Sequence, residues 1–497
     1  MILSKYNLKN IQVPGLQMPG PEIFNLPEKV LQFGTGVLLR GLPDYYIDKA
    51  NRNGVFNGRI VVVKSTSKGS TDDFGKQDGL YTIYARGVEN LQEVNEEVIC
   101  SAISRVISAT EDWTSILEVA RSPELKVIIS NTTEVGIQFV KEDVRKQPPE
   151  SYPGKLLAVL YERFKAFNGS PSSGLVIIPT ELIVDNGLKL ESIIFELSHL
   201  NNLEHEFMDW LEDHNSFCNS LVDRIVPGQP DKSSLEQLEN DRGYTDNLHI
   251  MAETYSLWAI EGDEKVKNIL SFSKANKEVV ITPDIKLFRE LKLRLLNGSH
   301  TLSCAVAILS GFKTVQQAMN NEGFSRFISE LAHNEIIYSI PYQIEHYIAS
   351  EFAGSVLDRF RNPYIKHEWF SIAVNYSAKI KMRVLPLLLN HYKTHGTVPP
   401  NMALGLAAFI RFMDVTQRDD GTFGGMLHAL PYTVDDSEAA FFAKAWELPD
   451  IDATVENILG NKELWDADLN ALPGFKDAVT GDLKKIMSGG INNLISA

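Results

Sequence analysis

The chain has 497 residues, enough for two or three domains of ordinary size. Apolar residues make up 44% and charged residues 23%, and 48 Lys and Arg against 64 Asp and Glu give a formal net charge of −16. That acidity argues against a nucleic-acid partner, which needs a clustered basic footprint, and no run approaches the ~18 apolar residues of a membrane span.

Three scattered cysteines (Cys100, Cys218 and Cys304), with no CxxC, exclude a disulfide framework and speak against a cysteine zinc site. The opening MILSKYNLKNIQVPG lacks the apolar centre of a secretory signal. A reduced, cytoplasmic protein with no membrane partner is therefore expected, its oligomeric state left open.

Residues 1–27, with Pro14, Pro19, Pro21 and Pro27, read as an irregular arm. Val30–Phe33 is a short apolar run that stops at Gly34-Thr35-Gly36; a helix is expected to follow to about Asn53, kinked at Pro43. Arg59–Val63 is a β-branched run of the kind found in parallel strands covered on both faces. Strand, glycine turn, helix and strand together make a βαβ unit.

Further buried strands are expected at Lys126–Ser130 and Leu175–Pro179, and helices near Trp113–Arg121 and Lys155–Phe167. Val144–Pro153 and Pro227–Gly243 read as loops. From about Pro283 the pattern turns to a 3.6-residue period: Ile285–Leu309, Thr314–Met319, Gly323–Ala332, Ile348–Phe360, Phe370–Lys393, Met402–Phe412 and Asp436–Ala445. The fold class is α/β: an arm (1–27), a doubly wound domain (28–282) and a mostly helical domain (283–497) with almost no strands.

Gly34-Thr35-Gly36 after a strand is half of a dinucleotide fingerprint, the first glycine allowing the turn and the second a close pyrophosphate. The third glycine position holds Leu39, so a simple tight turn is the alternative. No acid ends the second strand, which runs into Lys64-Ser65-Thr66-Ser67-Lys68. NAD and NADP both stay open on that ground, since Lys64 or Lys68 would tolerate a 2′-phosphate.

The most informative segment is Lys292-Leu-Arg-Leu-Leu-Asn297-Gly-Ser-His300. At ~100° per residue, Lys292, His300 and Asn297 fall near 0°, 80° and 140°, on one side of a helix. Asn297-Gly298 inside a helix breaks a local rule, as functional segments often do. A buried lysine exchanging a proton, an amide holding an alkoxide and an imidazole orienting substrate suit metal-free carbonyl reduction. The competing account is a kinked helix with an Asn-Gly cap, a surface lysine and a satisfied histidine.

With this spacing the sequence resembles the polyol-specific long-chain dehydrogenases, the mannitol dehydrogenase family. The similarity runs from about Val30 into the last hundred residues. It rests on Phe33-Gly34-Thr35-Gly36 with Arg40, Gln77-Asp78-Gly79-Leu80-Tyr81, Asn131-Thr132-Thr133-Glu134-Val135-Gly136, Val222-Asp223-Arg224-Ile225, Arg359-Phe360-Arg361-Asn362-Pro363 and the K-x4-N-x2-H motif.

The resemblance implies a Rossmann-type domain followed by a helical one, a nicotinamide cofactor (NAD, with NADP not excluded) and no metal. It implies Lys292 as acid/base, Asn297 at the oxyanion and His300 on the substrate. Phe33, Gly34, Thr35, Gly36, Val37, Asp78 and Thr132 are expected at the cofactor, and Asn186, Asp223, Arg361 and Lys379 at the substrate.

Ile178–Gly187 and Tyr255–Glu261 resemble more closely the branch that interconverts D-tagaturonate and D-altronate, and imply a small sugar-acid substrate. Mannitol 2-dehydrogenases have Asp-Asn where this chain has Glu181-Leu182, which leaves a second oxyanion amide to Asn186. They also carry an arginine at the position of Ser371. The substrate carboxylate then needs Lys379 or Arg361, although Arg361 also suits a structural ion pair. Fructuronate and fructose reduction are the alternative reactions, and a dinucleotide-binding sensor is the non-enzyme alternative.

Overall fold

The computed structural model describes residues 1–66, 70–132, 136–230, 232–427 and 429–496. The chain divides into two compact units: residues 1–86 with 93–285, and residues 87–92 with 286–497.

The first unit is built on a six-stranded sheet of β1 (Glu28–Phe33), β2 (Arg59–Lys64), β5 (Ile103–Ser108), β6 (Val127–Ser130), β7 (Val176–Pro179) and β8 (Ser216–Phe217), in the order β5-β2-β1-β6-β7-β8. All its pairings are parallel. Counted within the sheet this order is 3-2-1-4-5-6, the doubly wound Rossmann arrangement, whose direction reverses between β1 and β6.

Continuous apolar runs fit because each strand feeds two cores. Val30, Ile60, Val62, Val127 and Ile129 face one cluster, while Leu31, Phe33, Val61, Val63 and Ile128 face the other. The second face is covered by the helices Trp113–Ala120, Tyr152–Phe167, Asn186–Leu200 and His205–His214. The first is covered by Pro43–Arg52 and two smaller sheets: β10 (Ile250–Ala252) with β3 (Tyr81–Glu89) and β4 (Gln92–Cys100), and β12 (Val279–Thr282) with β11 (Leu257–Glu261) and β9 (Ser220–Asp223).

Pro43 does more than kink the expected helix. It opens a new one, so that Val37–Gly41 and Pro43–Arg52 are separate, joined at Leu42 (φ −131°, ψ −81°). The proline-rich arm is anchored: Leu3, Leu8, Ile11 and Leu16 are buried with Leu80, Ile99 and Tyr244.

The second unit packs its helices around one large apolar core that includes Leu295, Leu302, Trp369, Tyr376, Phe409 and Trp465. Residues 286–309 form one continuous helix of three parts: Lys286–Glu290 is α-helical, Leu291–Gly298 is π-helical and Ser299–Leu309 is α-helical again. Gly405, in the helix Pro400–Phe412, allows that pair to cross closely, since a Cβ there would lie 2.7 Å from the Leu302 carbonyl. One antiparallel sheet was not expected from the sequence: Thr416–Gln417, Phe423–Leu427 and Leu430–Val434. No helix among the described residues is long and apolar enough to cross a membrane.

Candidate active site

In the first unit the carboxyl ends of β1 and β6 frame the crevice where a doubly wound sheet receives its ligand. Gly34 follows β1 with φ +129°, and a Cβ on it would lie 2.9 Å from both the Asn131 carbonyl and Leu39 Cδ1. Only glycine fits there. The turn is pinned by Gly34 N–H to the Val63 carbonyl (3.1 Å) and Asn131 N–H to the Phe33 carbonyl (3.1 Å).

Gly36 differs: its backbone is exposed, and a Cβ would meet nothing within 4 Å. The protein itself therefore does not need a glycine at Gly36, whereas a pyrophosphate lying against the backbone does. Thr35 and Val37 are half-buried beside it, and Phe33 is buried at the strand end. These features fit a dinucleotide.

Across the crevice, the buried Glu181 carboxylate accepts from Ser130 Oγ (3.1 Å), Thr132 N–H (2.8 Å) and Thr132 Oγ1 (3.0 Å). Asn131 donates to the Thr180 carbonyl and hydroxyl. Thr132 is thus held at the carboxyl edge of β6, while Thr133, Glu134 and Val135, like Ser67 and Lys68, lie outside the described residues.

Two expected residues are placed otherwise. Asp78 sits at the wrong edge of the sheet: the adjoining Gly79 packs on the carbonyl of Ile103, the first residue of β5, and Asp78 Oδ2 accepts from Lys5 N–H (2.8 Å). The cofactor crevice lies at the other end of these parallel strands, so Asp78 anchors the arm and leaves the cofactor set.

Asn186 is buried, with its NH₂ shared among the carbonyls of Pro179, Glu181 and Ser220 and its oxygen taken by Gly187 and Ser220 N–H. It braces the β7 end and has no donor left for an oxyanion. Asp223 is buried at the end of β9, opposite Leu257.

In the second unit the π-helical segment changes the geometry of the Lys-Asn-His set. A π turn closes at i+5, so Lys292 and Asn297 stand one above the other, closer than the 140° of a uniform α-helix. Both are half-buried, and the Asn297 amide makes no hydrogen bond to a described residue. Arg294 stabilises this winding: its guanidinium takes Glu290 and the carbonyls of Met382 and Arg383, which belong to a second π segment, Ile380–Val384. The two π segments are thereby tied together. Such segments concentrate at functional sites.

His300 is buried and boxed by aromatic rings: Phe360 stacks at 4.0 Å, His367 meets it edge-on at 5.2 Å and Trp369 at 5.9 Å. Its Nε2 has no hydrogen-bond partner. Burial, reinforced by His367, Arg359 and Arg383, holds the imidazole well below the usual histidine range, so it is neutral at pH 7. Lys379 donates to the Ile372 carbonyl (2.9 Å), and burial followed by the nearby Arg383 lowers its pKa.

Arg361 is not brought to this group. It contacts Asp358 (3.4 Å) and opens onto a separate cleft of about 380 Å³ with Asn320, Ser325, Arg326 and Ser329. Sequence reasoning missed Arg294, Arg383 and the aromatic box of Phe360, His367 and Trp369. The signal for Arg383 was available: it lies one helical turn after Lys379.

The chain matches the mannitol dehydrogenase Rossmann domain over residues 28–274 and the mannitol dehydrogenase C-terminal domain over residues 284–487. It is 38% identical to the altronate oxidoreductase of Bacillus subtilis, over 94% of this chain and 95% of that one. The altronate oxidoreductase of Halalkalibacterium halodurans is 36% identical, over 95% and 93%. Among solved structures, Pseudomonas fluorescens mannitol 2-dehydrogenase, in ternary complex with NAD and D-mannitol, has the same fold. It is 21% identical with a TM-score of 0.67, over 100% of this chain and 99% of that one.

Proposed function

The chain belongs to the mannitol dehydrogenase family, and on that premise we propose that it interconverts D-tagaturonate and D-altronate with NAD(H). It is a sugar-acid or polyol dehydrogenase that uses a nicotinamide dinucleotide and acts on a small sugar-type molecule. The observation that carries the finer reading is the near full-length identity to two altronate oxidoreductases, 38% and 36%.

When bound, the reduced cofactor supplies a hydride to the keto carbon. Lys292 gives its ammonium proton to the keto oxygen and takes it back in the oxidative direction. Asn297, aligned with Lys292 by the π turn, donates its free N–H to the same oxygen as charge builds there. Neutral His300 uses its unpaired Nε2 for a substrate hydroxyl. A cation and an amide placed this way polarise the carbonyl themselves, so the reaction uses no metal, and activity should survive exhaustive chelation.

Side-by-side kinetics with NADH test the substrate. The expected order of kcat/KM is D-tagaturonate above D-fructuronate and far above fructose. A higher value for fructuronate or fructose contradicts the reading. A protein that binds NADH yet reduces none of them is a sensor.

A further inference from the structure

The second unit holds a cationic pair that the reaction scheme above does not use. Arg383 lies in the π segment Ile380–Val384, one turn after Lys379, and is half-buried. Its Nη1 meets Thr301 Oγ1 at 3.3 Å, and Thr301 itself hydrogen-bonds the Asn297 carbonyl at 2.7 Å. The guanidinium is therefore fixed one residue from His300 and one turn from Asn297.

Neither cation has a carboxylate partner among the described residues. Lys379 reaches only the Ile372 carbonyl, and Arg383 Nε is buried with no partner. Three other arginines in this unit have a carboxylate at hand: Arg294 with Glu290, Arg361 with Asp358 and Arg411 with Asp414. Burying a guanidinium without a counter-charge is costly, and a second cation beside it adds to that cost. Burial lowers the pKa of both Lys379 and His300, and Arg383 lowers each further, while Cys304 and Asp436 pull Lys379 the other way. A planar fork with open donors is the geometry that a carboxylate fills.

We propose that Arg383, with Lys379 beside it, forms the subsite that receives the substrate carboxylate, and so selects a keto-sugar acid over the neutral ketose of the same skeleton. The inference rests on the sugar-acid reading and deepens it. It moves the carboxylate contact away from Arg361, whose ion pair and separate cleft occupy it elsewhere.

The test compares D-tagaturonate with D-tagatose, in which a hydroxymethyl group replaces the carboxylate, in wild type, Arg383→Met and Arg383→Lys. NADH binding by fluorescence serves as the check that each variant is folded. Arg383→Met is expected to lose ~10²-fold or more in kcat/KM on the uronate, mainly through KM, and far less on the ketose. Arg383→Lys should lose an intermediate amount, because it keeps the charge and loses the fork. Equal losses on both substrates, or an unchanged preference in Arg383→Met, overturn the proposal. A wild-type enzyme with no preference for the uronate fails the substrate reading instead, which separates the two failures.

Discussion

The two units build their candidate sites from different material. In the first, the parts proposed to face a cofactor are backbone: the Gly34 and Gly36 peptides at the carboxyl edge of β1, with β6 opposite. In the second, the parts proposed to face a substrate are side chains: Lys292, Asn297, His300 and the Lys379–Arg383 pair, on or beside two tied π segments. A site of backbone is broken by adding atoms, and a site of side chains by removing them.

The largest expected effect follows from removal in the second unit. Lys292→Ala should lower kcat by ~10³-fold, the range of a lost general acid, and leave NADH affinity within twofold. Measured together, these two numbers show whether the functions separate as the two units do; a parallel loss of NADH binding breaks the comparison.

Addition in the first unit comes next, and the two glycines should respond differently. Gly34→Ala places a Cβ against a carbonyl at positive φ and should destabilise by ~3 kcal/mol, read as a fall in Tm. Gly36→Ala adds a Cβ that meets no protein atom within 4 Å, so its Tm should stay near wild type while KM for NADH rises at least ~10-fold, the Cβ filling the space left for a pyrophosphate. Equal Tm losses for both would mean that Gly36 is structural.

Asn186→Ala sharpens the boundary further. It removes the acceptor of Gly187 and Ser220 and the donor to three carbonyls, and should destabilise the protein by ~2 kcal/mol. Activity per folded molecule should hold within about twofold. A hundredfold loss of kcat at unchanged stability would return Asn186 to the oxyanion.

A last test is a pH slope in the first unit. Asp44, fully buried, has its carboxyl pushed up to about 7 by burial, against hydrogen bonds from Gln32 and Tyr81. The folded value lies above the unfolded one, so this stabilisation is fully present below about pH 4 and is lost as pH rises through 7. Asp44→Asn, neutral throughout, should remove at most ~1.4 kcal/mol per pH unit from that slope in denaturant titrations at pH 4, 5.5 and 7.

Strands buried on both faces were legible because Val30–Phe33 and Arg59–Val63 read as unbroken apolar runs. The K-x4-N-x2-H spacing was legible too, but not the π winding that brings Lys292 and Asn297 into line. A π turn at Leu291–Gly298 depends on Arg294 reaching carbonyls 88 and 89 residues away, which no local pattern encodes. Asp78 misled because a motif marks a neighbourhood in sequence, whereas only register tells which edge of a sheet it occupies. The short sheet around Phe423–Leu427 escaped because Gly424 and Gly425 carry no strand signal; their role is close approach, with Tyr432 Oη 2.5 Å from where a Gly425 Cβ would stand.

Whether Lys292 moves the proton is tested most directly by chemical rescue of Lys292→Ala with exogenous primary amines. The account predicts a rate that rises with amine concentration and varies with amine pKa, at unchanged NADH affinity. A variant that binds NADH and sugar acid normally yet gains nothing from any amine, or one that turns over at the wild-type rate without them, would contradict it.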